Sequence, residues 1–382
     1  MIILEKPLVS QELKAYLQAS KTPVLDNAYA REILAGTPGC RLTGDAEARE
    51  RIAGGERLYT VSENALEWVL QNIDDPCSRR VIDTMKNKTA MRQILQSAYP
   101  DFFFREISVE KLAELDFDTI PVPVVLKPSV GFFSVGVYTV RDKNDWQNAL
   151  DDIQKSSGNW KKLYPESVLA KQNFILEKYI DGDEYAVDVY FDGDGNAVIL
   201  NILKHDFSSA SDVSDRLYYT SKKVILENLE PFTAFFNRVN KSLGARNFPA
   251  HVELRVEDGK AVPVEFNPMR FSGYCTTDVS LFAYGFRTYD FYLNDKKPDW
   301  EKILSGKDGK IYAMILLNKP VPCPEVKDFD YDSLCKKFQK ILCLRKSDWQ
   351  KNSVFGFLFV ETDNPQELDY IVKSDLLEFC KI

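Results

Sequence analysis

Residues 251–270, HVELRVEDGKAVPVEFNPMR, constrain the fold more than any other stretch of this chain. Apolar residues occupy every second position from Val252 to Val256, and again from Val262 to Phe266. This period of two is typical of strands that bury one face. Because Asp258-Gly259 stands between the two runs and is a common turn pair, the segment predicts an antiparallel hairpin.

The hairpin carries an unusual set of polar groups. A turn with an odd number of residues, with Gly259 in the left-handed conformation, would place Glu253, Glu265 and Asn267 on one face. A two-residue turn would place Glu265 on the face opposite Glu253, so we predict the longer, bulged turn. Oxygen ligands of this kind suit Mg²⁺ that carries phosphate. The alternative is an exposed polar face of an edge hairpin, and the nearby Arg270 favours the metal site over it.

A second segment, VVLKPSVGFFSVGVYTV at 124–140, predicts a buried strand that ends in a lysine, Lys127. The loop that follows, from Ser129 to Gly136, is rich in small residues. Such residues let backbone N–H groups approach phosphate oxygens, and an apolar tip at 132–133 could exclude water. The alternative is a plain β-hairpin whose lysine packs its stem in the core.

A third segment, FILEKYIDGDEYAVDVY at 174–190, predicts a strand, a turn and a second strand. The extended backbone after Glu177 could pair with the edge of an adenine ring, and Glu184 could accept hydrogen bonds from ribose hydroxyls. The alternative is a strand–turn–strand unit with solvated acids.

In this order and spacing, the three segments resemble the ATP-grasp superfamily, and specifically its carboxylate–amine ligases, over roughly residues 80–275. The resemblance implies an α/β (α+β) ATP-grasp fold with a nucleotide cleft between the two lobes of its core. The expected domains are a βαβ pre-ATP-grasp domain, a core divided into lid and central subdomains, and a small C-terminal α/β subdomain. Their expected limits are 1–80, 81–300 (lid 102–180, central 181–300) and 301–382.

The resemblance also assigns roles to individual residues. Nucleotide contacts are expected from Lys88, Lys127, Ser129, Ser134, Gly136, Glu177, the backbone of Lys178 and Ile180, and Glu184. Mg²⁺, for which Mn²⁺ could substitute, is expected at Glu253, Glu265 and Asn267. Catalytic roles are expected for Arg270, Lys127 and His251. Members of the family usually carry arginine two residues after this asparagine, whereas here Met269 holds that position and Arg270 follows.

The implied function is that of an ATP-dependent ligase. It would phosphorylate a carboxylate to an acylphosphate and join it to an amine, with amino acids or other small metabolites as substrates and with ADP and phosphate as further products. Two other functions fit the same fold: a small-molecule kinase, and a nucleotide-binding protein without turnover. A dinucleotide oxidoreductase is disfavoured, because no G-x-G-x-x-G follows the first predicted strand.

Several polar residues outside these motifs could bind the substrates. The polar segment 204–216 offers Asp206, Asp212 and Asp215 for an ammonium group and Arg216 for a carboxylate. Arg287 and Tyr274 could line an acceptor pocket, whereas Cys275 has no evident base and is expected to be structural. A helix is predicted over 83–98, and it would carry Lys88.

Charge and cysteine content limit the partners. The chain of 382 residues has 49 Lys and Arg against 57 Asp and Glu, a net charge of −8. We therefore expect small-molecule substrates, with no nucleic-acid or membrane partner. Seven scattered cysteines without a C-x-x-C pair, and an N-terminus unlike a signal peptide, predict a cytoplasmic protein. The C-terminal unit could complete the acceptor pocket or form a homodimer.

Overall fold

The computed structural model describes residues 1–130, 136–163, 173–208, 215–320 and 325–382, with side chains omitted for 156–163. Two compact units divide the chain. Unit 1 comprises Met1–Asp75, Gly182–Asn237 and Ala245–Ile382, and unit 2 comprises Pro76–Asp181 and Arg238–Gly244. The predicted domain limits at residues 80 and 300 stay predictions. Among the described helices, none is both long enough and apolar enough to cross a bilayer.

The N-terminal part of unit 1 is a four-stranded parallel sheet in the order β3-β2-β1-β4. Its strands are β1 (Ile2–Ile3), β2 (Pro23–Leu25), β3 (Arg41–Thr43) and β4 (Tyr59–Thr60). Its helices are α1 (Gln11–Ser20), α2 (Ala28–Leu34), α3 (Asp45–Ala53) and α4 (Leu66–Asn72). Side-chain caps begin two of the helices: Ser10 accepts from the Leu13 N–H, and Asn27 accepts from the Ala30 N–H. The β-α-β character predicted for this region is thus confirmed.

The remainder of unit 1 is built on one eight-stranded antiparallel sheet, ordered β13-β12-β9-β10-β11-β14-β17-β16. The strands are β9 (Asp183–Phe191), β10 (Ala197–Asp206), β11 (Leu217–Ser221), β12 (Phe248–Glu257), β13 (Lys260–Pro268), β14 (Ile311–Asn318), β16 (Lys340–Lys346) and β17 (Val354–Thr362). The C-terminal strands β14, β17 and β16 therefore extend the sheet that carries the β12–β13 hairpin. A two-stranded sheet pairs β15 (Asp328–Phe329) with β18 (Cys380–Lys381).

Six α-helices follow among the described residues from 215 to the end of the chain, and the first of them ends within unit 2. They are α8 (Lys222–Leu243), α9 (Val279–Tyr284), α10 (Thr288–Leu293), α11 (Trp300–Ile303), α12 (Tyr331–Cys335) and α13 (Pro365–Lys373). Helix α8 buries an apolar stripe that includes Phe232, Phe235 and Phe236. The polar residue Arg216 is buried as well, and its Nη1 donates to the Ser374 carbonyl at 2.6 Å, just beyond α13. The Arg216 guanidinium thus caps a helix end, and the suggestion that it also holds a substrate carboxylate stays a prediction.

Unit 2 contains a four-stranded sheet in the order β5-β8-β6-β7. Its strands are β5 (Phe104–Ser108), β6 (Val124–Pro128), β7 (Tyr138–Val140) and β8 (Asn173–Lys178), and its helices are α5 (Pro76–Lys86), α6 (Lys88–Leu95) and α7 (Lys143–Leu163). The single helix predicted over 83–98 is wrong. Asn87 has a non-helical backbone and its side chain accepts from the Ala90 N–H, so a new helix begins at Lys88.

Candidate functional site

The β12–β13 hairpin differs from the prediction at its turn. Glu257 pairs with Lys260, so the turn has two residues, and both Asp258 and Gly259 have positive φ angles (50° and 73°). This conformation is the two-residue turn that Asp-Gly favours. The predicted turn with an odd number of residues is therefore wrong.

A bulge within the strand restores the shared face. Leu254 pairs with Pro263 but Glu253 pairs with Glu265, so Val264 is an additional residue on β13. Directly opposed residues of an antiparallel pair project to the same side of the sheet. Glu253 and Glu265 therefore face the same side despite the two-residue turn.

The same face continues onto two more strands. His251 lies opposite Asn267 on β13 and opposite Asp188 on β9, and Asp188 in turn lies opposite Asn201 on β10. Burial decreases along the face: Asp188 and Asn201 are fully buried, whereas the Glu253 side chain is 32% exposed. The polar face thus has a closed end at Asp188 and an open end at the two glutamates.

Arg270 reaches this face although it stands one position later than in the family pattern. Met269 adopts a left-handed backbone, with φ of 64°, and its carbonyl accepts from both the backbone N–H and the hydroxyl of Thr60. The chain turns at that residue, and Arg270 Nη2 donates to Asn267 Oδ1 at 2.8 Å. The amide nitrogen of Asn267 is buried without a hydrogen-bond partner among the described residues. A buried polar atom in that state costs about 1–3 kcal/mol, and a bound ligand could offset this cost.

His251 is held inside the same face. Its Nδ1 lies 3.0 Å from Asp188 Oδ1, and its Nε2 lies 3.6 Å from Glu253 Oε1. Burial lowers the pKa of His251, but the hydrogen bond to Asp188 and the neighbouring Glu253 carboxylate outweigh burial, so the net pKa lies above the ordinary value.

The donor atoms of this face suit Mg²⁺ better than a metal ion whose ligands all come from the protein. Within the described ranges, no group of three or more His, Cys, Asp and Glu could hold a metal ion. The face instead offers two carboxylates and one amide oxygen, from Glu253, Glu265 and Asn267. Mg²⁺ usually takes one or two carboxylates and fills its other positions with water and substrate phosphate. The donor set therefore suits Mg²⁺ that binds together with a phosphate ligand.

Glu184 lies further along β9 and is fixed by two cationic groups. Its carboxylate lies 3.0 Å from His205 Nδ1 and 2.9 Å from Arg255 Nε. The His205 ring stacks on Tyr218, with ring centroids 4.2 Å apart. Burial raises the pKa of Glu184, but the hydrogen bonds and charges of His205 and Arg255 outweigh it, so the pKa is lowered. The sequence did not reveal these partners, because they lie on neighbouring strands whose register no local pattern determines.

Unit 2 contains a separate buried cluster of charges. Lys127 Nζ lies 2.6 Å from Glu177 Oε1, and Arg92 Nε donates to Glu177 Oε2 at 2.7 Å. All three side chains are buried. In the structure the Glu177 carboxylate holds two cations in place, and its contact with adenine stays a prediction. Arg92 is the residue that the sequence analysis missed.

The cluster has more positive than negative charge. Burial raises the pKa of Glu177, but Arg92 and Lys127 outweigh it and lower the pKa to about 2. The pKa of Lys127 is lowered, first by burial and then by its neighbours Lys88 and Arg92, although Glu177 opposes the change. Neighbouring cations lower both pKa values, but for Lys127 burial is the larger cause. An anionic ligand would relieve this excess of positive charge.

Glu177 should make the stability of unit 2 sensitive to acid. Its pKa lies near 2 in the folded chain, against an ordinary value of 4.5, so the carboxylate stabilises the fold fully above about pH 4.5. This contribution, about 3 kcal/mol, is lost as the pH falls from 4.5 towards 2. We expect hydrogen exchange in β6 and β8, corrected for intrinsic rates, to accelerate over that range.

Glu177→Gln is the control for this prediction, because glutamine does not titrate. Unit 2 of the variant should be less stable than that of the parent at pH 7 and should lose less further stability between pH 4.5 and 2. If the stability of both proteins fell equally with pH, Glu177 would not be the source of the acid sensitivity.

The other predicted nucleotide residues fall on the same unit. Lys88 is the first residue of α6, and its N–H donates to the Ser129 carbonyl, whereas the Ser129 hydroxyl accepts from Thr89. Gly136 has a φ of 78° beside Pro128. The predicted contact Ser134 lies outside the described residues. The Lys178 N–H donates to the Phe103 carbonyl, so this group is already engaged, and Ile180 is buried.

The residues suggested for substrate binding differ in their contacts and exposure. Asp215 accepts from the Tyr218 hydroxyl at 2.6 Å, and Asp212 lies outside the described residues. Asp206 lies 3.9 Å from Lys204 Nζ. Tyr274 is 43% exposed, and its ring stacks on Phe357.

Two further suggested residues follow the motif in the sequence. Arg287 Nε is buried without a hydrogen-bond partner among the residues that the structure describes. Burial, together with Asp278, raises the pKa of the Cys275 thiol to about 12. Cys275 would therefore remain a thiol at neutral pH, which makes it a poor nucleophile.

Comparison with known proteins agrees with this fold. Residues 120–278 match the family model described as ATP-grasp domain. The D-alanine–D-alanine ligase of Bacillus anthracis is 26% identical over 172 residues, which cover 43% of this chain and 50% of that protein. The chain thus spans half the length of the curated relatives it matches first.

Solved structures extend the likeness over the whole chain. An L-amino acid ligase from Bacillus licheniformis superposes with a TM-score of 0.72 at 16% identity, covering 100% of this chain and 97% of that one. An N5-carboxyaminoimidazole synthase from Aspergillus clavatus, solved with ADP and 5-aminoimidazole ribonucleotide, gives a TM-score of 0.63 at 15% identity over 99% and 97% of the two chains. These likenesses establish the fold class that the sequence predicted.

Proposed function

We propose, from the premise that residues 120–278 form an ATP-grasp domain, that this protein is an ATP-dependent carboxylate–amine ligase. The observation that carries the proposal is the polar face of the β12–β13 hairpin. There Glu253 opposes Glu265, and Asn267 accepts from Arg270 beside them. A surface that served only solubility would not bury an asparagine amide and pair it with an arginine next to two carboxylates.

The proposal assigns metal-binding groups to unit 1 and phosphate-binding cations to unit 2. In unit 1, Glu253, Glu265 and Asn267 would hold Mg²⁺, which when bound neutralises charge on the phosphate oxygens. In unit 2, Lys127 and Lys88 would hold nucleotide phosphates, and Glu177 with Arg92 would keep the Lys127 ammonium in place. Groups of these two kinds suit phosphoryl transfer, which depends on positioning and charge neutralisation more than on covalent help from the protein.

The reaction has two steps. A carboxylate oxygen of the first substrate bonds to the terminal phosphorus of ATP while the bond from that phosphorus to the bridging oxygen breaks, which releases ADP. The nitrogen of an amine then bonds to the acyl carbon, the bond from that carbon to the phosphate oxygen breaks, and phosphate leaves. The amine nitrogen loses a proton in the second step. Arg270, beside the two glutamates, would stabilise negative charge on the transferred phosphoryl group.

The substrates are proposed to be amino acids or similar small metabolites, since the relatives named above are a D-alanine–D-alanine ligase and an L-amino acid ligase. We also propose that the enzyme works in the cytoplasm, where ATP is available and where its thiols would stay reduced.

The test is a screen of ADP and phosphate release from MgATP across pairs of carboxylic acids and amines, with each acid and each amine also tested alone. We expect release that requires both members of a pair, together with a new amide product detected by mass spectrometry. Formation of AMP and pyrophosphate would refute the proposal. A stable phosphorylated product in the absence of any amine would identify a kinase instead.

A further inference from the structure

Asp188 is a fully buried carboxylate at the closed end of the polar face, and the ligase proposal gives it no task. Four donors surround it. Its Oδ1 accepts from the Ser272 backbone N–H at 2.8 Å and from the Ser272 hydroxyl at 3.0 Å, and it lies 3.0 Å from His251 Nδ1. Its Oδ2 accepts from the Thr277 hydroxyl at 2.7 Å. So many donors around one buried group indicate a fixed orientation.

This arrangement decides which nitrogen of His251 carries a proton. An ionised carboxylate only accepts hydrogen bonds, so a ring nitrogen 3.0 Å from Asp188 Oδ1 must donate. The Ser272 hydroxyl also lies 3.0 Å from Nδ1, but its single hydrogen is directed to Asp188. Nδ1 therefore carries a proton, and Nε2 is the nitrogen that faces Glu253 Oε1, 3.6 Å away.

Two threonine hydroxyls hold the Asp188 carboxylate in place. Thr277 Oγ1 lies 2.6 Å from Thr288 Oγ1 at the start of α10, and both threonines are buried. Because Thr277 donates to Asp188, Thr288 must donate to Thr277. A chain of hydroxyl groups thus fixes the carboxylate, which in turn fixes the imidazole ring.

We propose that Asp188 is a positioning residue for His251: it keeps the proton on Nδ1 and directs Nε2 towards Glu253. The proposal rests on the proposed function for its catalytic consequence, because Glu253 is there a ligand of Mg²⁺. Partners of this kind orient side chains next to a metal, and their loss typically costs 10–100-fold in activity or metal affinity. The orientation of His251 is a property of the protein alone and does not depend on the reaction.

The first test is NMR spectroscopy of the full chain labelled with ¹⁵N-histidine. The chain has only two histidines, so His205→Gln suffices to assign the His251 signals. We expect Nδ1 of His251 to be protonated in the parent protein. In Asp188→Leu, which removes the acceptor, the Ser272 hydroxyl becomes free to donate to the ring, so Nδ1 should lose its proton. Asp192→Leu is the matched control, because Asp192 is a buried acid just after β9 that pairs with Lys297; it should leave the His251 signals unchanged.

The second test is kinetic. Asp188→Leu should lower kcat about 100-fold and leave KM for ATP within a factor of about three, since ground-state nucleotide contacts are untouched. A parent spectrum with an unprotonated Nδ1 would overturn the proposal even if Asp188→Leu fails to fold. An Asp188→Leu spectrum in which Nδ1 is still protonated would overturn it as well. If instead Nδ1 loses its proton as expected but no ligase activity is found, the positioning role stands and the proposed function fails.

Discussion

Replacing Glu265 with glutamine should lower kcat for ATP-dependent ligation about 1000-fold, because a carboxylate that neutralises Mg²⁺ becomes a neutral amide of the same shape. Glu265 lies directly opposite Glu253, so the variant would halve the negative charge offered by the carboxylate pair. The measurement is ADP release at saturating substrates, together with calorimetric titration of ADP at several Mg²⁺ concentrations. We expect ADP affinity to lose most of its dependence on Mg²⁺.

Asp258→Asn is the control for this variant. It makes the same carboxylate-to-amide change in the same hairpin, at an exposed turn position whose left-handed backbone asparagine tolerates. Its activity should match that of the parent. If Glu265→Gln also retained full activity with an intact fold, Glu265 would not be a ligand of the metal on which the reaction depends.

Replacing Lys127 with methionine should weaken ATP binding about 100-fold, because a charge-assisted contact to phosphate is worth about 1.5–3 kcal/mol. The same change should destabilise unit 2 by about 3 kcal/mol, since the buried Glu177 would keep only Arg92 as a partner. ATP affinity is measured by calorimetry at a temperature where the variant is folded, and stability by hydrogen exchange in β6 and β8.

Two further variants separate these effects. Lys111→Met removes an exposed lysine of unit 2 and should change neither quantity. In the double variant Lys127→Met/Glu177→Gln, the glutamine oxygen still accepts a hydrogen bond from Arg92. The variant also removes the buried negative charge that Lys127→Met alone would leave with one cation instead of two. It should regain part of the stability but none of the ATP affinity. Recovery of both together would mean that Lys127 acts only through the fold.

The strands of the site were predictable because their signal is local. Alternation of apolar residues identified β12 and β13, and the Asp-Gly pair identified the turn between them. The bulge at Val264 was not predictable, since its position depends on how β12 pairs with β13, and a period of two is compatible with either register. The break at Asn87 was missed for a similar reason: capping residues also occur within helices, and only the backbone distinguishes the two cases.

Partners distant in sequence were beyond local reasoning. Glu177 was identified as the end of a strand, but its partner Arg92 lies 85 residues away and on a helix. The same holds for Glu184, whose partners lie on two other strands. That the C-terminal strands join the sheet of the central hairpins was also not evident, because strand order in a sheet leaves no trace in the sequence of any one strand.

The bulge at Val264 has a consequence for how such hairpins change in length during evolution. Loss of this one residue would leave Glu265 directly after Pro263 and still opposite Glu253, so the shared face would survive without the bulge. A regular strand that kept Val264 would instead turn Glu265 and Asn267 to the opposite side of the sheet. The hairpin can therefore differ by one residue in length without moving its site residues to the other face, and an alignment with relatives that lack the bulge should place its gap at residue 264.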